Sequence, residues 1–180
     1  PRDAAGLPLD SYPTPHGTRA AEVHLAGVRL PASALLPAGA DALERALGLG
    51  LAALCAEAVG IMKATVDATV DYLRTRQQFG QPIGRFQALQ HRAADMLLHY
   101  EQAQSMSYLA AMPCTSKDAA LRRRALSAAK VVTGRAARFI GQQAVQLHGG
   151  MGMSDELVVS HWFKRLTAIE MLFGNSDTHL

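Results

Sequence analysis

From Tyr72 to Met96 the chain reads YLRTRQQFGQPIGRFQALQHRAADM, and this stretch limits the fold more than any other. It separates two long helical patterns with residues that cannot continue a helix. Upstream lies an Ala/Leu-rich helix. Downstream, Phe86, Leu89, Ala93, Met96 and Leu97 repeat at helical spacing. Between them Gly80, Pro82 and Gly84 force a tight, fixed turn. The chain must therefore fold back on itself here, which makes the two helices antiparallel neighbours. Arg74, Arg76 and Arg85 surround the turn just before a helix opens, a natural setting for phosphate oxygens.

The remaining pattern is helical apart from the beginning. Within Pro1–Ala38, Pro and Gly are frequent, and Ala21, Val23 and Leu25 alternate with Glu22 and His24 as a strand does. Ala26-Gly27 turns the chain, and Val28 to Leu30 is expected as a second short strand ending at Pro31. Asp41 with Glu44 three residues later has the form of a capping box that starts the first long helix. The apolar face of that helix is expected to include Leu43, Leu47, Leu51, Leu54, Ala58, Ile61 and Val66. The second helix runs from about Phe86 to Ala111 and stops before Pro113. The third starts after Thr115 or Ser116, with Asp118 in its first turn, and ends at Gly149-Gly150. A shorter fourth spans roughly Glu156 to Phe173, and Asn175, Ser176 and Asp177 would cap another. The expected fold is mainly α: an up-down four-helix bundle over residues 39–180, after a β fragment over residues 1–38.

Composition closes off several classes of function. With 180 residues, 49% of them hydrophobic, the chain can bury a substantial core, and few aromatics with many alanines favour close-packed helices. The net charge of +3 and the single Arg122–Arg124 run, without interleaved aromatics, exclude a typical nucleic-acid binder. No apolar run is expected to reach the ~18 residues of a membrane span. Cys55 and Cys114 read as reduced thiols of a cytoplasmic protein. The histidines show no metal-ligand spacing, so no metal is expected. Pro1 and the abrupt stop at Leu180 read as the ends of a fragment.

The turn, taken with QLHGGMGMSDE at Gln146–Glu156, resembles the C-terminal helical domain of the acyl-CoA dehydrogenases. Both motifs stand in that family's order, a long helix lies between them, and the likeness extends from about Leu30 to Leu180. The resemblance implies FAD as cofactor, an acyl-CoA thioester as substrate, and removal of two hydrogens across its α–β bond. It implies a tetramer, homomeric or built with a second dehydrogenase subunit, and an electron-transfer flavoprotein as acceptor. It also makes residues 1–38 the last edge of the family's middle β-domain.

Site residues follow by the same resemblance. Arg76 takes the place of the arginine that reaches the pyrophosphate of a flavin bound mainly by a neighbouring subunit. Gln78 and Phe79 adjoin it, one as a polar phosphate contact and one as an aromatic near the cofactor. Gln87 is the glutamine just inside the next helix. Gln146, Leu147, His148, Gly149 and Gly150 face the adenine half, and Asn175 and Asp177 complete the cofactor set. Read without the resemblance, Arg76 is a helix-end arginine, Gln87 an exposed helical residue, and Gly149-Gly150 a helix stop.

The catalytic base is the departure. Dehydrogenation at a thioester needs a carboxylate to take the α-proton. Counted from Gln146, the family's usual glutamate position holds Phe173; anchored on Gly60 and Tyr72, its alternative position holds Gly50. Neither residue can accept a proton. Glu57 is expected in a buried pair or an interhelical hydrogen bond, and Glu44 as a cap. Glu170, one turn before Phe173, is the other carboxylate close by. Some family members pair two different subunits, one lacking the base, and the LFGNSD ending resembles the small subunits of such pairs, including the pimeloyl-CoA dehydrogenase-like type.

Overall fold

The computed structural model describes residues 5–37 and 39–180. These residues form two units, one ending at Glu44 and one running from Arg45 to Leu180. In the first, β1 (Leu9–Pro13) pairs antiparallel with β2 (Arg19–Val23), with Leu9 opposite Val23 and Tyr12 opposite Ala20. Thr14 closes the hairpin: its N–H donates to the Thr18 carbonyl at 2.8 Å, and Gly17 supplies a φ of 87°. This corrects the sequence reading. The partner of the Ala21–Val23 strand precedes it, and Val28–Leu30 is not a strand. Pro8, Pro13 and Pro15 hid β1, whose residues are all exposed and so carry no alternating burial to detect. Expectations that fall on residues 1–4 and on Ala38 lie outside the described residues.

Four helices make up nearly all the rest: α1 (Gly39–Thr75), α2 (Gln87–Ala111), α3 (Ala119–His148) and α4 (Val158–Met171). Leu54, Ala58, Met62, Val66 and Leu73 of α1 meet Met96, Tyr100 and Ala103 of α2 in one core. Ala136, Ala137, Ile140 and Ala144 of α3 and Val159, Leu166 and Ile169 of α4 complete it. Alanine at 58, 103, 137 and 144 is fully buried, which lets the backbones approach closely. Burying a side chain the size of Met62 or Leu166 stabilises the fold by roughly 1.5–3 kcal/mol. A second cluster of Leu51, Cys55, Ala110, Leu126 and Ala129 continues the core.

The helix ends follow local chemistry. Pro113 ends α2 in a short 3₁₀ turn, Met112–Thr115. Asp118 is the N-cap of α3 rather than part of its first turn, accepting from the Leu121 N–H at 3.0 Å. Gly149, at φ 61°, ends α3. Helix α1 begins at Gly39, two residues before Asp41, which lies in its first turn. Leu43 and Leu47 are exposed, so the buried face of α1 begins at Leu51. By length and composition the stretch Ala32–Thr75, which includes α1, is apolar enough to cross a membrane, contrary to the sequence expectation; 39% of its apolar 18-residue window is buried inside the protein, as in the core helix of a bundle.

Candidate functional site

The α1–α2 connection is a hairpin. β3 (Gln77–Gln78) pairs with β4 (Gln81–Pro82), and Phe79 (φ 54°) with Gly80 (φ 76°) forms the two-residue turn between them. Positive φ at both positions is the geometry that matches the twist of a tight hairpin. Gly84 is compulsory: a Cβ there would stand 2.8 Å from the Leu73 carbonyl oxygen. The Ile83 N–H donates to the Arg76 carbonyl at 2.9 Å, so the hairpin fixes the backbone from which the Arg76 side chain leaves.

This hairpin and the end of α3 form the walls of an open groove. Arg76, Gln78, Ile83 and Leu89 line one side, and Gln146 to Met151 line the other. Tyr72 joins the two sides. Its ring lies 4.4 Å from that of His148, and its hydroxyl donates to the His148 carbonyl at 3.4 Å. His148 is buried, with Nδ1 donating to the Ala144 carbonyl at 2.8 Å, and burial pushes its pKa below the ordinary value. Leu147 is likewise in the core. At positions 147 and 148 the groove can therefore offer a ligand only backbone.

Several observations fit an anionic ligand here. The Arg76 guanidinium is exposed and has neither hydrogen bond nor ion pair among the described residues. A Cβ on Gly149 or Gly150 would meet nothing within 4 Å, so the backbone there lies open to a ligand. The end of α3 is the negative pole of a helix dipole, which disfavours an anion, so the attracting charge must come from Arg76. Arg74 does not share this work. It lies 3.7 Å from Asp71 and lines a different groove with Asp67.

Other candidates lie outside the groove. Phe79 is 87% exposed at the hairpin tip, its ring edge-on to Phe86 at 5.9 Å. Gln87 is exposed as the first residue of α2. Asn175 caps the 3₁₀ turn Ser176–His179, accepting from the Thr178 N–H at 3.0 Å, with Asp177 in that turn. Ser176 packs beside Gly134 of α3, about 18 Å along the helix from Gln146 at 1.5 Å per residue.

The two positions read as lacking a base meet each other. A Cβ on Gly50 would lie 3.2 Å from Cζ of Phe173, so the ring covers the place a Gly50 side chain would fill. The nearby carboxylates are engaged elsewhere. Glu57 accepts a fork from Arg165 of α4, Nε to Oε1 at 2.6 Å and Nη2 to Oε2 at 2.8 Å. That pair is interhelical, as expected, but partly exposed rather than buried. Glu170 accepts the Ser176 N–H at 3.1 Å. Sequence reasoning missed Tyr72 as the link between groove walls; only its helical distance from Arg76 hinted at a shared end.

A helical bundle with a groove of this kind defines a class. The acyl-CoA dehydrogenase C-terminal domain matches residues 38–180, and the chain belongs to the acyl-CoA dehydrogenase family. It is 34% identical to a probable acyl-CoA dehydrogenase of Bacillus subtilis, YngJ, over 98% of this chain and 48% of that protein. In fold it is similar to the ChsE4-ChsE5 complex from Mycobacterium tuberculosis (TM-score 0.90, 22% identity, 99% of this chain and 48% of that one). It is also similar to the Tcur3481-Tcur3483 steroid ACAD variant (TM-score 0.88, 28% identity, 99% of this chain and 47% of that one). The chain spans about half the length of the curated relatives it matches.

Proposed function

We propose that this chain is the helical part of an FAD-dependent acyl-CoA dehydrogenase subunit that completes a neighbouring subunit's flavin site and lacks its own base. The single observation that carries the second half is the Phe173 ring lying over Gly50, hydrocarbon where the reaction needs a carboxylate. FAD, when bound, takes up the hydride that leaves the acyl β-carbon. Arg76 would hold its pyrophosphate, Gln78 and Gln146 would supply directional amide contacts, and Gly149-Gly150 would admit the backbone to the adenosine side. Phe79, Gln87, Asn175 and Asp177 would extend the contact beyond the groove.

The physical support is the split between an open, cationic groove and a base position covered by a hydrocarbon ring. A groove with unshared charge and accessible backbone suits a ligand from outside this domain. The companion is a second dehydrogenase subunit that carries a glutamate, and the acceptor is an electron-transfer flavoprotein. The experiment is to purify the full-length protein alone and with its genomic neighbour. Flavin retained in both, with turnover of acyl-CoA only in the second, is the expected result. Turnover by the flavin-loaded protein alone would overturn the base-less reading.

A further inference from the structure

Three residues of α3 that the groove does not use, Ser127, Lys130 and Gly134, are spaced three and four apart and so share one face of the helix. The last turn of α4 and the segment after it are fastened to that face at these positions. Lys130 is 1% exposed, and its Nζ donates to the Ile169 and Glu170 carbonyls at 2.9 and 2.7 Å, the last turn of α4. A lysine at a helix C-terminus satisfies carbonyls that have no partner within the helix. At Gly134 a Cβ would lie 2.9 Å from Ser176 Oγ and 3.4 Å from Glu170 Cγ, so a larger residue there would force the segment's side chains to shift. Ser127 Oγ lies 3.1 Å from His179 Nδ1, and His179 Nε2 lies 2.9 Å from the Phe173 carbonyl. Because a carbonyl only accepts, Nε2 carries the proton and Nδ1 accepts from the serine.

The fastened segment is strained. Phe173 sits at φ 58°, rare for a bulky side chain, and Gly174 follows at φ 91°. A residue stays in that region only where its surroundings over-determine it. Here they do: Lys130 holds the residues before it, Glu170 holds the Ser176 N–H after it, and His179 holds its own carbonyl.

We infer that Ser127, Lys130 and Gly134 form a positioning track on α3, with Lys130 its main anchor, that holds Phe173 in a left-handed conformation and so presses its ring onto Gly50. The track rests on contacts alone. That the covered place is the proton-abstraction position rests on the reading proposed above.

The test is fluorine NMR of the full-length protein labelled with fluorophenylalanine, with the Phe173 signal assigned by its loss in Phe173→Leu. Lys130→Met keeps the length of the stem but removes the donors. Gly134→Ala keeps every donor and favours the α3 helix, yet pushes the segment outward. Phe173 is 46% exposed in the fold, and the ring face on Gly50 is the part the track holds; the expected result is a displaced Phe173 signal in both variants, while Phe139 and Phe163 stay in place. A folded Lys130→Met protein with Phe173 unmoved would overturn the inference. If Lys130→Met does not fold, Gly134→Ala decides by the same signal: a shift supports the track and an unmoved signal overturns it. Neither readout involves turnover, so catalysis by this subunit alone would leave the track standing and would remove only its assigned purpose.

Discussion

The two ends of the proposed chemistry lie along the same helix and are built in opposite ways. At the end of α3, the groove between Arg76 and Gln146–Met151 is open, and its arginine's guanidinium has no partner among the described residues. About 18 Å back along α3, the turn carrying Phe173 is tied down by buried groups and shows hydrocarbon to Gly50. Unshared charge and bare backbone are arrangements that a fold gains nothing by keeping. An apolar contact is one that a fold favours for its own stability. On the function proposed above, cofactor support and proton abstraction become separable within one bundle.

The largest expected effect falls on the open region. Arg76→Ala should weaken flavin binding by about 1.5–3 kcal/mol, the range for hydrogen bonds to charged groups. Arg76→Lys should recover only part, since an ammonium lacks the planar fork. The Phe173 environment should not change in either. Flavin titration of the assembled protein measures the first, and equal affinity in Arg76→Ala would break the comparison.

Next is Gly152→Ala, at the rim of the groove. A Cβ there would lie 2.6 Å from the Val145 carbonyl oxygen, a backbone contact that cannot swing away. A loss of about 1–3 kcal/mol in unfolding free energy is expected, typical of overpacking. Denaturant unfolding checks it, and a neutral result would show that the turn after α3 is looser than its contacts imply.

His148 gives the groove a pH dependence. Burial holds its pKa below the ordinary 6.5, so the imidazole is neutral in the fold. Below that pH the unfolded chain takes up a proton that the folded one resists, so stability is complete above it and falls with the pH. The melting temperature of the wild type should therefore decline more steeply under acid than that of His148→Leu. Parallel declines would show that the Tyr72–His148 stack tolerates the charge.

The smallest effect belongs to the carboxylate nearest to being a rival base. Glu57→Gln breaks a partly exposed pair with Arg165 and should cost about 0.5–1 kcal/mol of stability. It should leave the activity of the assembled enzyme unchanged, which steady-state kinetics would measure.

Much of this contrast was legible in the chain. Helical spacing, Pro113 and the Gly80–Gly84 turn mark all four helices to within a few residues, because each signal is local. Gly50 and Phe173 could each be named by counting from motifs. Their contact could not, since it depends on how α1 packs beside the end of α4. Lys130 was invisible for a different reason. A lysine in an alanine-rich helix reads as part of the solvated face, and only the placement of the α4 carbonyls turns it inward. β1 was missed because a fully exposed strand has no buried side to reveal it.

The central claim is that this subunit supports a flavin without supplying the base. The direct measurement is acyl-CoA dehydrogenation by the isolated full-length protein, flavin-loaded, with an electron acceptor, beside the same assay with its glutamate-bearing partner. Proton abstraction by a positioned base is worth about 10²–10⁴-fold, so the two rates should differ by at least that much. The account predicts background rates alone, and turnover in the pair that survives Glu57→Gln and Glu170→Gln. Turnover by the isolated protein at rates typical of enzymes, abolished by either substitution, would contradict it.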